Sequence, residues 1–416
     1  DDFLRVNGTA IEGRSASEVL SDIGASAVAG SSSIVTTGAL DSGSITSGFG
    51  NINNGTSTLT TGNTDINGTV AISGDTTLED GADLITASAG TSNVRIGVNA
   101  GNSIASGGNY NTVVGDEAGT ALTTGDENVA VGFEALKTED ANGKNTAVGY
   151  RSLSTLNAGA DSYNTAFGHE AGRDLTTGIR NIYVGGGAGK LSNDADHNVA
   201  IGHAALANNL QGDNNVAVGS GTLQAQNTSS STDTYNTAVG YNAGLSVTSG
   251  LSNSIVGGLA GDALTVGGFN VAMGRSALTT DVAGSKSTAI GFGTLRAQTF
   301  SGATDTLNTA VGFEAGNDIT SGINNVIIGA LTGDALSDAD NNVAVGQSAL
   351  TTDTKGNKST AVGHSALEAQ NFTSSTNTFN TGIGSDAGKA IQTGVKNTII
   401  GSSAGDNITT GAENTI

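Results

Sequence analysis

Asn128-Val129-Ala130-Val131-Gly132-Phe133-Glu134-Ala135 is one copy of a string that recurs along most of the chain. Other copies begin at Asn145, Asn198 and Asn397, reading NTAVG, NVAIG and NTIIG. The closing glycines run from Gly97 to Gly401 and number 18. The first position is Asn in 16 copies and Ser in two, Ser287 and Ser359. The residue before the Gly is apolar in every copy, and three residues after it stands Ala, Ser or Thr. Apolar residues at alternate positions of a short segment closed by Gly describe a strand. Copies at regular intervals describe a stack of such strands, a parallel β-solenoid stabilised rung by rung.

The spacing has two levels. Most rungs are 17 residues apart, but Gly168, Gly240, Gly312 and Gly384 follow one another at 72, as three steps of 17 and one of 21. The fourth residue after the Gly keeps the same order in each unit: Gly, Gly, Leu, Leu. The duplicated unit is therefore four rungs. Extra residues inside a strand would turn its side chains over, so the long connections are expected to leave the stack at one common corner.

The Asn of each rung, as at Asn128, Asn164, Asn236, Asn308 and Asn380, is expected to hydrogen-bond its copies above and below. Asn209 lies outside this column, and its replacement is expected to be near neutral. Within the strand, alternation places Val129 and Val131 inward and Ala130 on the opposite face. Two aliphatic residues per rung fill only a thin core, so three coils sharing their apolar faces, a homotrimer, are expected.

Composition agrees with a fibrous all-β protein. The 416 residues include 64 Gly, no Pro, no Cys and no Trp. A sheet ladder needs its backbone N–H groups, which Pro lacks. Lys plus Arg is 16 against 38 Asp plus Glu, a formal charge of −22. Clustered cations for phosphate are not apparent, so no nucleic-acid partner is expected. A disulfide framework is excluded, and no apolar run approaches the ~18 residues of a membrane span, so no membrane insertion is expected.

The tandem N-x-A-V/I-G-x-x-A strings over residues 93–416 resemble the head domains of trimeric autotransporter adhesins. They resemble still more the long repeats of tail-fibre proteins of marine tailed phages, as does the segment VNGTAIEGRSASEVLSDIG at 6–24. The resemblance implies a left-handed β-roll, an intertwined homotrimer, and a structural or adhesive fibre located on a virion or a cell surface. Its implied partner is a host-surface glycan or protein receptor. The alternatives are a bacterial surface adhesin and a polysaccharide-cleaving tailspike. An ice- or mineral-binding solenoid needs a flat Thr-x-Thr array, which this chain lacks.

Three regions are expected: 1–33 with a strand and a short helix, 34–92 as a β-rich shaft, and 93–416 as the repeat. The helix follows from Ser15-Ala16-Ser17-Glu18, a capping-box pattern, and from Gly24 as its stop. The chain begins without Met and ends inside a further rung, and reads as part of a longer protein.

Candidate binding residues fall in two sets. The slot after the rung Gly holds Phe133, Tyr150, Tyr241, Phe292 and Phe313, with His169, His203 and His364 in the same slot. Such a column of rings suits either stacking on sugars or packing between chains. The long connections Gln224–Tyr235, Arg296–Leu307 and Glu368–Phe379 carry Tyr235, Phe300 and Phe372, and loops on a rigid stack either bind or merely vary in length. The pairs Asp194/Asp196 and Asp338/Asp340 have the spacing of Ca²⁺ ligands and equally of Asx turns. No Ser-His-Asp arrangement or isolated acid pair marks a hydrolase. No metal, no cofactor and no enzymatic activity are expected.

Overall fold

The computed structural model describes residues 3–7, 10–14 and 89–416. The chain divides into two compact units, Asp1–Glu79 and Asp80–Ile416. In the first, strands Phe3–Asn7 and Ala10–Arg14 pair antiparallel, with Phe3 opposite Arg14 and Asn7 opposite Ala10. The expected helix at 15–24 and the strands expected between 34 and 87 lie outside the described residues.

The second unit is one parallel ladder of 18 three-residue strands, from Val94–Ile96 to Thr398–Ile400. Each pairs in register with the next, as Val129 with Thr146, Ala130 with Ala147 and Val131 with Val148. The ladder is open: among the described residues the Val94 strand pairs only with the Thr112 strand, and Thr398 bridges onward to Thr415. At ~4.8 Å per rung it is about 80 Å long. No helix occurs among the described residues.

The strands face the other way from the expectation. Ala130 is fully buried, while Val129 and Val131 are only partly covered; the same in–out order repeats at Ala147, Ala217 and Ala344. The interior of most rungs is filled instead by this middle residue, usually Ala but Val or Ile in several rungs, by the Ala, Ser or Thr after the turn, and by one Leu, Ile or Val from the far wall. In the rung of Asn111 these are Val113, Ala118 and Leu122; in the rung of Asn128 they are Ala130, Ala135 and Leu136, all at 0% exposure. The core closes within a single chain. The deficit on which the homotrimer expectation rested does not exist, and self-association is not required to complete a rung.

The Gly-Gly-Leu-Leu order is a volume exchange. The fourth residue after the rung Gly is in the left-handed region throughout, at φ +51° for Gly119 and +50° for Leu136. Where it is Gly, an apolar side chain three residues on fills the same space: a Cβ on Gly261 would stand 2.9 Å from Leu264 Cδ1. Where it is Leu, the position three residues on is polar in most rungs, as Glu139, Asn209, Asp281 and Gln298. All four of these are at 0% exposure. The rung of Asn181 shows the limit of the exchange: Tyr183 takes the middle strand position and Ser192 replaces the Leu, with the Tyr183 hydroxyl 3.0 Å from Ser192 Oγ.

The Asn column is a ladder, though not purely of amides. The Asn128 N–H donates to Asn111 Oδ1 at 2.9 Å, and Asn111 Nδ2 donates to the Gly125 carbonyl at 2.8 Å. Such a side chain ties its strand both to the next rung and across its own coil; at Asn145 the Nδ2 turns instead to the Gly143 carbonyl. Amide-to-amide bonds are added at Asn181, Asn253 and Asn397, at 3.1–3.2 Å. Asn164, Asn236, Asn308 and Asn380 donate to the carbonyls of Gly178, Gly250, Gly322 and Gly394 in the same way. Asn209 is not neutral ground. It is buried, its Oδ1 accepts from Gly212 N–H at 2.9 Å, and its Nδ2 donates to the Gly212 carbonyl.

The two serines in the column are repaired from within. Ser287 Oγ accepts from Gln298 Nε2 at 2.9 Å, Gln298 Nε2 also reaches Asp281 Oδ2 at 2.6 Å, and Gln298 Oε1 accepts from Asn308 Nδ2 at 2.9 Å. Ser359, Gln370 and Asp353 repeat the set 72 residues on. In the preceding unit Asn209 and Asn215 stand where Asp281 and Ser287 do. Burial raises the pKa of Asp281 above the ordinary carboxylate range, with Gln298 and backbone N–H groups opposing. A raised folded-state pKa means that the ionised form penalises the fold. The penalty is absent below the unfolded pKa of ~3.9 and grows as pH rises through the folded value. Asp281→Asn with Ser287→Asn should therefore raise the melting temperature at pH 7 relative to the parent. The difference should shrink as pH falls toward 3. A pH series of thermal melts checks both.

The three long connections leave the stack at the same corner. Each forms a two-residue parallel pair: Gly212–Asp213 with Thr232–Asp233, Gly284–Ser285 with Thr304–Asp305, and Gly356–Asn357 with Thr376–Asn377. These recur every 72 residues, hence every four rungs, about 19 Å apart.

Candidate functional site

The outer face of the ladder is built from four columns. Two are the outward strand residues, such as Val129 and Val131, and consist of Thr, Val and Ile with Phe167, Met273 and Ser254. The third is the slot after the rung Gly. The fourth is the residue just before the Asn. Among the described residues of the second unit 29 large hydrophobic residues are exposed, and 25 of them fall in these four columns. The face is also poor in acid. It carries Lys144, Arg180, Arg275, Lys286, Lys358 and Lys396 against Asp116, Glu127 and Glu413, in a chain of charge −22.

The ring column after the Gly is partly assembled. Phe133 stacks on Tyr150 at 5.4 Å between centroids and Tyr150 on His169 at 5.0 Å, with the Arg151 guanidinium 5.3 Å from the Tyr150 centroid. Phe292 stacks on Phe313 at 5.4 Å, and Arg275 lies over Phe292. Tyr241 stands apart, exposed, with Ser220 and Gly258 in the slots on either side. His203 and His364 are exposed in single slots of the same column.

The loop rings separate. Tyr235 is exposed, and its hydroxyl donates to Asp233 Oδ2 at 3.1 Å. Phe372 is buried to 8% exposure, and its N–H donates to Asp353 Oδ1. Its ring belongs to the packing under the bulge and is not offered to a ligand, contrary to the expectation for this residue. Phe300, its counterpart one unit earlier, is half-buried.

The second aspartate of each pair serves the backbone, while Asp338 of the second pair lies 3.5 Å from Lys355. Asp196 Oδ1 accepts from Ile179 N–H at 2.7 Å and Asp340 Oδ1 from Ile323 N–H at 2.8 Å, each capping the rung below. Among the described residues no group of three or more His, Cys, Asp or Glu is placed to hold a metal ion. An ion-pair ladder follows the next corner: Lys137 lies 3.2 Å from Glu117 and 2.8 Å from Glu134, and Glu170 bridges Arg173 at 3.1 Å and Lys190 at 2.7 Å. The hydrogen bond from Lys137 leads in lowering the Glu134 pKa. A cleft between His169 and His203 opens over the Glu170, Arg173 and Lys190 cluster, at the rung where Gly186 leaves the ring slot empty.

The fourth column escaped sequence reading. It holds Tyr110, Tyr163, His197, Tyr235, Phe269 and Phe379 among 18 positions, with Lys or Arg at five more. Every member is in the left-handed region, at φ between +49° for Tyr235 and +66° for Lys144, which turns its side chain out at the corner. Lys144 lies 5.1 Å from the Tyr163 centroid and Lys358 5.3 Å from that of Phe379. Its identity varies from rung to rung, so only aligning the rungs on their Asn would have shown it. No protein-family model, no curated protein and no solved structure matches this chain.

Proposed function

We propose that residues 89–416 form a rigid adhesive rod, the spacer and contact surface of a fibre carried on a virion or a cell surface. The single observation that supports this is a closed solenoid core joined to an outer face of exposed rings and β-branched residues along its whole length. A catalytic centre would be local and unrepeated; this face is repeated. The net charge of −22 suits an exposed fibre by limiting self-aggregation. A host-surface glycan or protein receptor is the proposed partner. Assembly of three copies belongs to the proposal on a new footing: the columns of Val129 and Val131 offer neighbours a long apolar stripe to cover. Immunogold labelling of the source particles or cells tests the location. Gold on projecting fibres is expected, and gold confined to the cell interior would overturn the reading. Solution mass should correspond to three chains.

A further inference from the structure

We infer that the column preceding the Asn ladder is a rail for an anionic polysaccharide, anchored at Arg180 and Lys358. This rests on the adhesive reading above and gives its partner a chemical class. The charge distribution supplies the first argument. From Lys144 to Lys396 the column runs through 15 consecutive rungs without one carboxylate, although acids outnumber cations 38 to 16 in the chain. Most described cations, such as Lys137 and Lys389, lie against a carboxylate. Lys144, Lys286 and Lys396 pair with Asp161, Asp305 and Glu413. Among the described residues Arg180 and Lys358 form no such pair. Each lies instead against a ring: Arg180 Nη1 is 3.2 Å from His197 Nε2, and Lys358 sits over Phe379. Their charge is left for an external anion.

The rings supply the second argument. Tyr235, Phe269 and Phe379 are more than half exposed, at 56%, 60% and 51%, without a protein ring stacked on them. An exposed aromatic face beside a free cation suits a sugar ring that bears an acid: the C–H surface lies on the aromatic and the charge goes to Arg or Lys. Midway along the rail a shallow cleft is lined by Phe269, Lys286, Ser249, Ser285 and Asp305, which places donors and acceptors beside an exposed ring for hydroxyl groups. The third argument is periodicity. Arg180 and Lys358 are ten rungs apart, about 48 Å. Only an extended ligand can engage both, and a repeating polymer can occupy many weak subsites of a repeating rail at once. The column lies at the corner beside the β-branched stripe, so copies packed on that stripe need not cover it.

The test uses the full chain and immobilised polygalacturonate, with neutral dextran, single-stranded DNA and anionic phospholipid vesicles as comparison probes. Binding to polygalacturonate is expected, weakening as salt rises, with none to dextran. Arg180→Gln with Lys358→Gln should reduce affinity at least tenfold without moving the melting temperature. Phe269→Ala should also weaken it, which a purely electrostatic surface would not show. Arg296→Gln, an exposed cation off the rail, should leave binding unchanged. No binding to polygalacturonate, or equal binding by the double variant, would overturn the inference. Equal or tighter binding to DNA or vesicles would also overturn it, by showing a general polyanion or membrane surface. If polygalacturonate binds by this rail while gold labels only the cell interior, the rail stands and the fibre assignment fails.

Discussion

Gly274→Ala should lower the stability of the solenoid by roughly 3 kcal/mol or more, the combined effect of a forbidden backbone region and a steric collision. Gly274 has φ +136°, and all 18 rung glycines lie between +127° and +145°. A Cβ there would stand 2.3 Å from the Gly291 carbonyl oxygen of the next rung. Neither side can yield, because both are backbone in a ladder spaced at ~4.8 Å. The rungs would have to part locally, breaking bonds such as that from Gly291 N–H to the Met273 carbonyl at 2.7 Å. Gly302→Ala is the control. It lies in a long connection, where a Cβ would meet nothing within 4 Å, and its melting temperature should match the parent's. Equal losses at both would show that the glycine column is not a steric requirement.

Tyr183→Ala should cost about 3–5 kcal/mol, the range for removing a large aromatic from a packed core. Tyr183 is at 0% exposure and fills the space that Leu takes in neighbouring rungs, with Ser192 making room for it. The test is the second step. Tyr183→Ala with Ser192→Leu recreates the combination of Ala166 and Leu175 found one rung earlier. Most of the lost stability should return in the double variant, while Ser192→Leu alone should destabilise by overpacking. Thermal melts of the three variants and the parent form a closed cycle. Additive losses would show that the two positions do not share one volume.

What could be read from the sequence was what the backbone dictates. The rung Gly is invariant because only Gly fits there, and the Asn is nearly invariant because one amide serves two rungs. Both kept their identity and were legible, as was the common corner of the long connections. The facing of the strands was not, because Val-Ala-Val obeys alternation in either direction and hydrophobicity favours the valines as the interior. The narrow coil decides otherwise. The middle strand position faces in whether it holds Ala130, Val113 or Ile327, and the residues on either side of it go out. The same blindness hid the exchange between Leu136 and Leu122: the Gly-Gly-Leu-Leu order was visible, but its partner three residues on was not. Asn209 lies outside the ladder, and nothing in its own identity marks the buried partner position it occupies. The candidate site was half legible. Phe133, Tyr150, Phe292 and Phe313 were found by their slot, Phe372 turned inward, and the column of Phe269 and Phe379 was missed because no single residue type marks it.

Which side of the strand faces in can be probed directly. The chain contains no Cys, so a single introduced thiol reports without background. Ile327 and Ile328 are adjacent and chemically identical, yet Ile327 is at 0% exposure and Ile328 at 39%. Ile328→Cys should react with a maleimide in the native protein at the rate of an exposed thiol, and Ile327→Cys should react only after denaturation. A protected Ile328→Cys with a reactive Ile327→Cys would contradict the closed single-chain core and restore the view that the β-branched residues fill the interior.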